Sequence, residues 1–177
     1  MNQDKKQKFE NLKLQIENQI DKFQVNNDNN LNKSHIRFSI NSLSKKFVSE
    51  KQLKKKLQEK FGNLDFQSTL DKMKSIGFLN DQKLTEIECR NLSSRKFYSN
   101  RRIKNHLIQK GLPDYMIEEC LENSSDEFER SMNLLKKKYK IKAKNQVVKA
   151  SRFLFSYGYS TSTIKKAIKE YFGDLEE

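Results

Sequence analysis

Apolar residues in this chain recur at the three- and four-residue spacing of a helix face. Phe9, Leu12, Ile16, Ile20 and Phe23 form one such stripe. Ile36, Ile40, Leu43 and Phe47 form a second, Leu53 and Leu57 a third, and Phe66, Leu70 and Met73 a fourth. Further along come Leu84, Ile87 and Cys89, then Phe128, Met132, Leu135 and Tyr139. Turn formers separate them. Asn26-Asn27-Asp28-Asn29-Asn30 favours turn over helix and predicts a linker after the first stripe. Ser49 with Gln52 and Asp126 with Glu129 have the spacing of a helix-capping box. Pro113 suits the first turn of a helix, where its missing N–H costs nothing.

The pattern repeats. The stretch Ile103 to Gly111 superposes on Ala150 to Gly158 with an offset of 47 residues. The register continues past the glycines: Ile117 falls over Ile164, Cys120 over Ala167 and Leu121 over Ile168. Each segment reads as a helix, a glycine stop and a second helix. An earlier, looser copy runs through Gly62. Each copy is preceded by one more helical stripe. The chain therefore predicts an all-α fold, an elongated tandem array of three three-helix repeats resembling helix-turn-helix units. Residues 1–30 are an N-terminal amphipathic helix and Asn-rich linker, and the repeats occupy 31–80, 81–126 and 127–177. A unit of this size buries too little apolar surface alone, so neighbours are expected to stack.

Composition agrees. Of 177 residues, 34% are hydrophobic and 33% charged, with one Pro and five Gly, which suits slender helices with narrow buried stripes. Met1 to Lys8 are polar with no apolar run behind them, so no secretory leader is expected. No apolar run approaches the roughly 18 residues of a membrane span. Cys89 and Cys120 lack metal or redox spacing and read as buried packing thiols, which fits a reducing cytoplasm. No Gly-rich phosphate loop, GxSxG elbow or HExxH occurs, so no catalytic residue, cofactor or metal is expected. His35 and His106 are isolated in the sequence. His106 aligns with Phe153, which points to packing.

The net charge is +13 and the pI about 9.6. In residues 1–30, Lys5, Lys6, Lys8, Lys13 and Lys22 are cancelled by Asp4, Glu10, Glu17, Asp21 and Asp28. The excess lies in the rest of the chain, which should attract polyanions, nucleic acid foremost. Lys54-Lys55-Lys56 marks the first repeat. Arg95, Lys96, Arg101, Arg102, Lys104 and Lys110 mark the second. Lys136, Lys137, Lys138, Lys140, Lys142, Lys144, Lys149 and Arg152 mark the third. Phe97, Tyr98, Tyr157 and Tyr159 lie among these cations, where core packing competes with base stacking.

Five blocks in order resemble the RecX family. Gly77-Phe78-Leu79-Asn80-Asp81-Gln82-Lys83-Leu84 is similar to its junction between repeats. Arg101-Arg102-Ile103 through Lys110-Gly111-Leu112 resembles its "RRIxxELxxKGI", and Ile117 to Leu121 continues the register. Leu134-Leu135-Lys136-Lys137-Lys138-Tyr139 resembles "LLxKKY", and Arg152-Phe153-Leu154 through Gly158-Tyr159 resembles "RFLxRRGF". The likeness runs over residues 36–172. Where the family often has a Gly-rich turn before "RRI", this chain has Lys96-Phe97-Tyr98-Ser99-Asn100, a stiffer loop.

The resemblance implies a non-enzymatic cytoplasmic regulator that binds RecA recombinase and lies along its filament on single-stranded DNA. It would inhibit filament growth, ATPase and strand exchange, and so restrain recombination and the SOS response. DNA would be met directly or through the filament, by a monomer with no membrane attachment. Candidate contacts are Arg95, Arg101, Arg102, Lys104, Lys110, Lys136, Lys137, Lys138 and Arg152. Leu84, Ile103, Leu107, Ile117, Leu121, Phe128, Leu135, Phe153, Leu154 and Ile164 would hold the repeats. The rivals are a helix-turn-helix factor binding one duplex sequence and a scaffold binding only protein.

Overall fold

In a computed structural model, residues 29–45, 47–140 and 143–173 are described. The stripe from Phe9 to Phe23 and Lys142 lie outside them. The described residues form nine α-helices and no strand. They are α1 (Asn29–Lys45), α2 (Glu50–Phe61), α3 (Gln67–Ser75), α4 (Asp81–Arg90), α5 (Asn100–Gln109), α6 (Asp114–Glu122), α7 (Glu127–Lys138), α8 (Val147–Ser156) and α9 (Thr161–Phe172). Asn29 and Asn30, expected in the linker, already belong to α1. Asn is favoured where a helix begins.

Side-chain caps set several starts. Ser49 and Gln52 form the reciprocal capping box at α2. The Asp81 carboxylate also accepts the Glu50 N–H at 3.0 Å, which brings negative charge to the positive end of α2. Ser99, Asp126 and Ser160 accept the N–H of Arg102, Glu129 and Thr163 at the starts of α5, α7 and α9. Pro113 is the residue before α6 rather than in its first turn, with φ −65° and extended ψ.

The chain divides into two compact units, Met1–Asp81 and Gln82–Glu177. The first has one core, with Ile40, Leu43, Val48, Leu53, Leu57, Phe66, Leu70, Met73 and Leu79 buried. Phe47, expected on the α1 stripe, is 61% exposed. It lies past the end of the helix, in a segment where the buried apolar residue is Val48. His35 is buried, its ring 4.5 Å from that of Phe61 and 5.0 Å from that of Phe66. Burial lowers its pKa, because an imidazolium loses its water there.

The second unit has two cores. One joins Leu84, Cys89, Leu92, Ile103, Leu107, Leu112 and Ile117 from α4 to α6. The other joins Met132, Leu134, Leu135, Ala150, Leu154, Tyr159, Ile164, Ala167, Ile168, Tyr171 and Phe172 from α7 to α9. Positions 47 residues apart are buried alike: Ile103 and Ala150, Leu107 and Leu154, Ile117 and Ile164. Of the ten residues expected to hold the repeats, Leu121, Phe128 and Phe153 are only half-buried.

Gly111 and Gly158 end α5 and α8 at φ 79° and 91°, where an L side chain is strained. Gly158 has a second constraint. A Cβ there would lie 2.6 Å from Ser99 Oγ and 2.9 Å from Arg102 Cβ. Gly77, which ends α3 with the same pair of backbone bonds, has φ 74° and nothing within 4 Å. Gly77→Ala should therefore cost about 1 kcal/mol of backbone strain. Gly158→Ala should add an overpacking cost of about 1–3 kcal/mol. Chemical denaturation of both variants checks this. Equal losses would mean that the Ser99 contact yields without cost.

Candidate functional site

The loop between α4 and α5 departs most from regular helix. α4 passes into one π-helical turn, Asn91–Arg95. Phe97 then takes φ 54°, the left-handed region, and no other non-glycine residue does so among the described ones. Such a conformation persists only where surroundings fix it. Here the fixing bonds are many. The Phe97 and Tyr98 N–H groups donate to Ser93 O and Leu92 O at 3.1 and 3.0 Å. The Tyr159 hydroxyl donates to Phe97 O at 2.7 Å, and the Ser99 N–H donates to Tyr157 O at 3.2 Å.

Arg130, on α7, completes the clamp. It is 1% exposed, the largest of the fully buried side chains. Its Nε donates to Tyr98 O at 3.2 Å and its Nη1 to Ser124 Oγ at 3.2 Å. Nη1 also donates to Ser125 O, and Nη2 to Asn100 Oδ1. A buried cation is costly unless its donors are satisfied. The guanidinium fork reaches acceptors in several directions, which a lysine could not do. Burial also pushes the Tyr159 phenol well above its usual pKa, so it stays a donor. The sequence reading left Arg130 out. Its signal was a lone Arg among the polar residues of an amphipathic helix, which normally means solvent.

This clamped loop forms one wall of a basic cleft of about 380 Å³. Arg95, Lys96, Phe97 and Tyr98 come from the loop, Leu134, Lys137 and Lys138 from α7, and Phe153 and Tyr157 from α8 and its end. The four aromatic rings are half-buried and the four cationic residues exposed. Lys138 Nζ lies 4.3 Å from the Phe153 ring centre, Lys137 Nζ 5.6 Å from that of Phe97 and Lys96 Nζ 5.7 Å from that of Tyr98. Such exposed cation–ring contacts are worth only about 0.5–1 kcal/mol each, so a stronger anion can draw the ammonium groups away. Tyr98 and Tyr157 pack edge to face at 5.4 Å, and Phe153 and Tyr157 are tilted at 4.8 Å.

The nine basic residues singled out from the sequence fall into three groups. Arg95, Lys137 and Lys138 come together in the cleft, joined by Lys96. Arg101, Lys136 and Arg152 are exposed elsewhere on this unit. The remaining three have structural partners. Arg102 donates to Ser156 O and stacks 4.2 Å from the Tyr98 ring centre. Lys104 pairs with Glu118 at 3.1 Å. Lys110, with a side chain only 13% exposed, pairs with Glu88 at 2.6 Å.

Two expectations need correction. Cys89 and Cys120 are not separate packing thiols; they form a disulfide joining α4 to α6, with Cα atoms 6.5 Å apart. Their 31-residue separation hides a proximity that only helix packing creates. His106 is not a core residue: its side chain is 41% exposed and 3.9 Å from Glu88. A second groove, of about 420 Å³, runs beside the disulfide and is lined by Gln82, Glu86, Arg90, Ser94, Glu119 and Asn123 among others. Its mixed charge gives it no preference for anions.

No protein-family model matches the chain. Among curated proteins, a regulatory protein RecX of Clostridioides difficile is 32% identical over 139 residues, covering 75% of this chain and 65% of the relative. The chain thus spans just under two thirds of that relative's length. A regulatory protein RecX of Mannheimia succiniciproducens is 32% identical over 130 residues, covering 69% of this chain and 84% of the relative. The chain belongs to the RecX family. Its fold agrees with a crystal structure of RecX from Lactobacillus salivarius, at TM-score 0.65 and 21% identity over 79% of this chain and 96% of the other.

In this RecX-family chain the clamp on the loop makes a testable demand. Arg130→Ala leaves Tyr98 O, Ser125 O and Asn100 Oδ1 short of a buried donor. Water can reach the exposed Ser125, so a loss of about 1–3 kcal/mol is expected from the acceptors that stay covered. Arg130→Lys keeps the charge without the fork and should recover less than half of it. Urea denaturation of the three proteins decides; full stability of the Lys variant would show that charge alone suffices.

Proposed function

We propose that this chain regulates RecA recombinase. It binds the RecA filament on single-stranded DNA and limits filament growth, ATPase and strand exchange, restraining recombination and the SOS response. The observation that carries this reading is membership of the RecX family, whose curated members are named regulatory proteins. The positive surface of the second unit supports it, since a filament on DNA is a polyanion. The protein acts by binding rather than by catalysis, as a cytoplasmic monomer. The helix triplets α1–α3, α4–α6 and α7–α9 serve as three repeats, with boundaries near residues 80 and 126. No described helix is long and apolar enough to cross a membrane.

Arg101 and Arg152 are the contacts most suited to a test. Both are exposed, and neither lines the cleft or takes part in the clamp. The DNA-dependent ATPase of RecA should fall as the protein is added below one copy per RecA. The doubly reversed variant Arg101→Glu, Arg152→Glu should need about tenfold more protein for the same effect, equivalent to about 1.4 kcal/mol of binding. No fall at any dose, with the helices intact by circular dichroism, would refute RecA regulation by this chain. A normal fall with the variant would remove these two residues from the contact.

A further inference from the structure

The cleft between the Lys96–Asn100 loop, α7 and α8 has a more specific chemistry than a basic surface. Four cationic residues and four aromatic rings line it together, and no carboxylate lines it among the described residues. Phe97, Phe153 and Tyr157 pack against the core of α7 to α9 and also line the cleft, so the fold holds these rings beside the cations. A surface that meets only carboxylates gains nothing from such ring faces. Nucleic acid needs both groups, because its phosphates want cations and its unstacked bases want flat apolar faces. A duplex hides those base faces; a single strand offers them.

We propose that this cleft binds single-stranded nucleic acid directly, seating one unstacked base against Phe153 and Tyr157 with the flanking phosphates on Lys96, Lys137 and Lys138. This rests on the regulatory reading for the strand the site would meet on a filament, but its test needs no RecA. The ammonium groups of Lys137 and Lys138 now lie over ring faces at 5.6 and 4.3 Å. They leave the rings for phosphate as the base enters, so each is within reach of both roles. The volume of about 380 Å³ accommodates one base with its sugar, not a stack of several. Phe97 in its left-handed conformation, bonded by Tyr159, holds the loop wall in place before any ligand arrives. The wall is thus built in advance, and little ordering cost remains at binding.

The full chain is titrated without RecA against a fluorescent deoxythymidine 12-mer and against an abasic 12-mer with the same phosphates. The abasic strand should bind about tenfold more weakly, the loss of one base–aromatic stack. Having no tryptophan, the protein emits from tyrosine, and the thymidine strand should quench that emission more than the abasic one does. Lys137→Gln with Lys138→Gln, both exposed, should weaken thymidine binding and lower the salt slope by about 1.4, for two lost phosphate contacts on a single strand. Equal affinity for the two strands would overturn base seating. An unchanged affinity or slope in the folded double variant would overturn the site, and competition by polyglutamate as strong as by the DNA would reduce the cleft to a general anion surface. Each of these results can occur while RecA regulation stands, so the two proposals fail separately.

Discussion

The second unit is organised around a cation with no water. Arg130 sits 1% exposed between the two cores of Gln82–Glu177, and its donors are spent on the backbone and side chains of two loops. That arrangement is expensive to desolvate and is tolerable only because every direction of the fork meets an acceptor. Its consequence is positional. The loop from Lys96 to Asn100 cannot slide, so Phe97 stays in a conformation it would otherwise leave. The α5 N-terminus follows, since Ser99 both caps that helix and bonds Tyr157 O. Gly158 marks how close the approach is, because no Cβ fits between the α8 end and Ser99.

The same constraint sorts the positive charge. Some basic residues hold structure: Arg102 bridges to Ser156 O, and Lys110 and Lys104 answer Glu88 and Glu118. Others keep their charge toward solvent. Arg95, Lys96, Lys137 and Lys138 are held near one another with no carboxylate among the described lining residues, which concentrates positive potential above the aromatic rings. The run Lys136-Lys137-Lys138 is therefore divided within one helix turn. Lys137 and Lys138 face the cleft, and Lys136 does not line it.

Much of the fold was legible because helical period survives any detail of packing. The stripes Leu53 and Leu57, Leu70 and Met73, Ile103 and Leu107 are buried as their spacing requires. The 47-residue register was legible because equivalent positions face equivalent cores. What spacing could not reveal was anything set by contacts between helices. The disulfide of Cys89 and Cys120 depends on how α4 meets α6, and the burial of Arg130 on how α7 meets a distant loop. Phe47 misled because a helix that stops at Lys45 no longer carries its stripe forward. For the candidate site, residue type was legible and role was not. All nine cations read alike in sequence, while the structure commits three of them to partners.

Hydrogen exchange of the full chain, alone and on RecA filaments formed on single-stranded DNA, tests most directly that the clamped loop and its cleft are the working face. The account predicts slowed exchange concentrated in residues 95–102 and in the segments around Lys138 and Tyr157. Protection confined to α1–α3, or none anywhere despite binding, would contradict it.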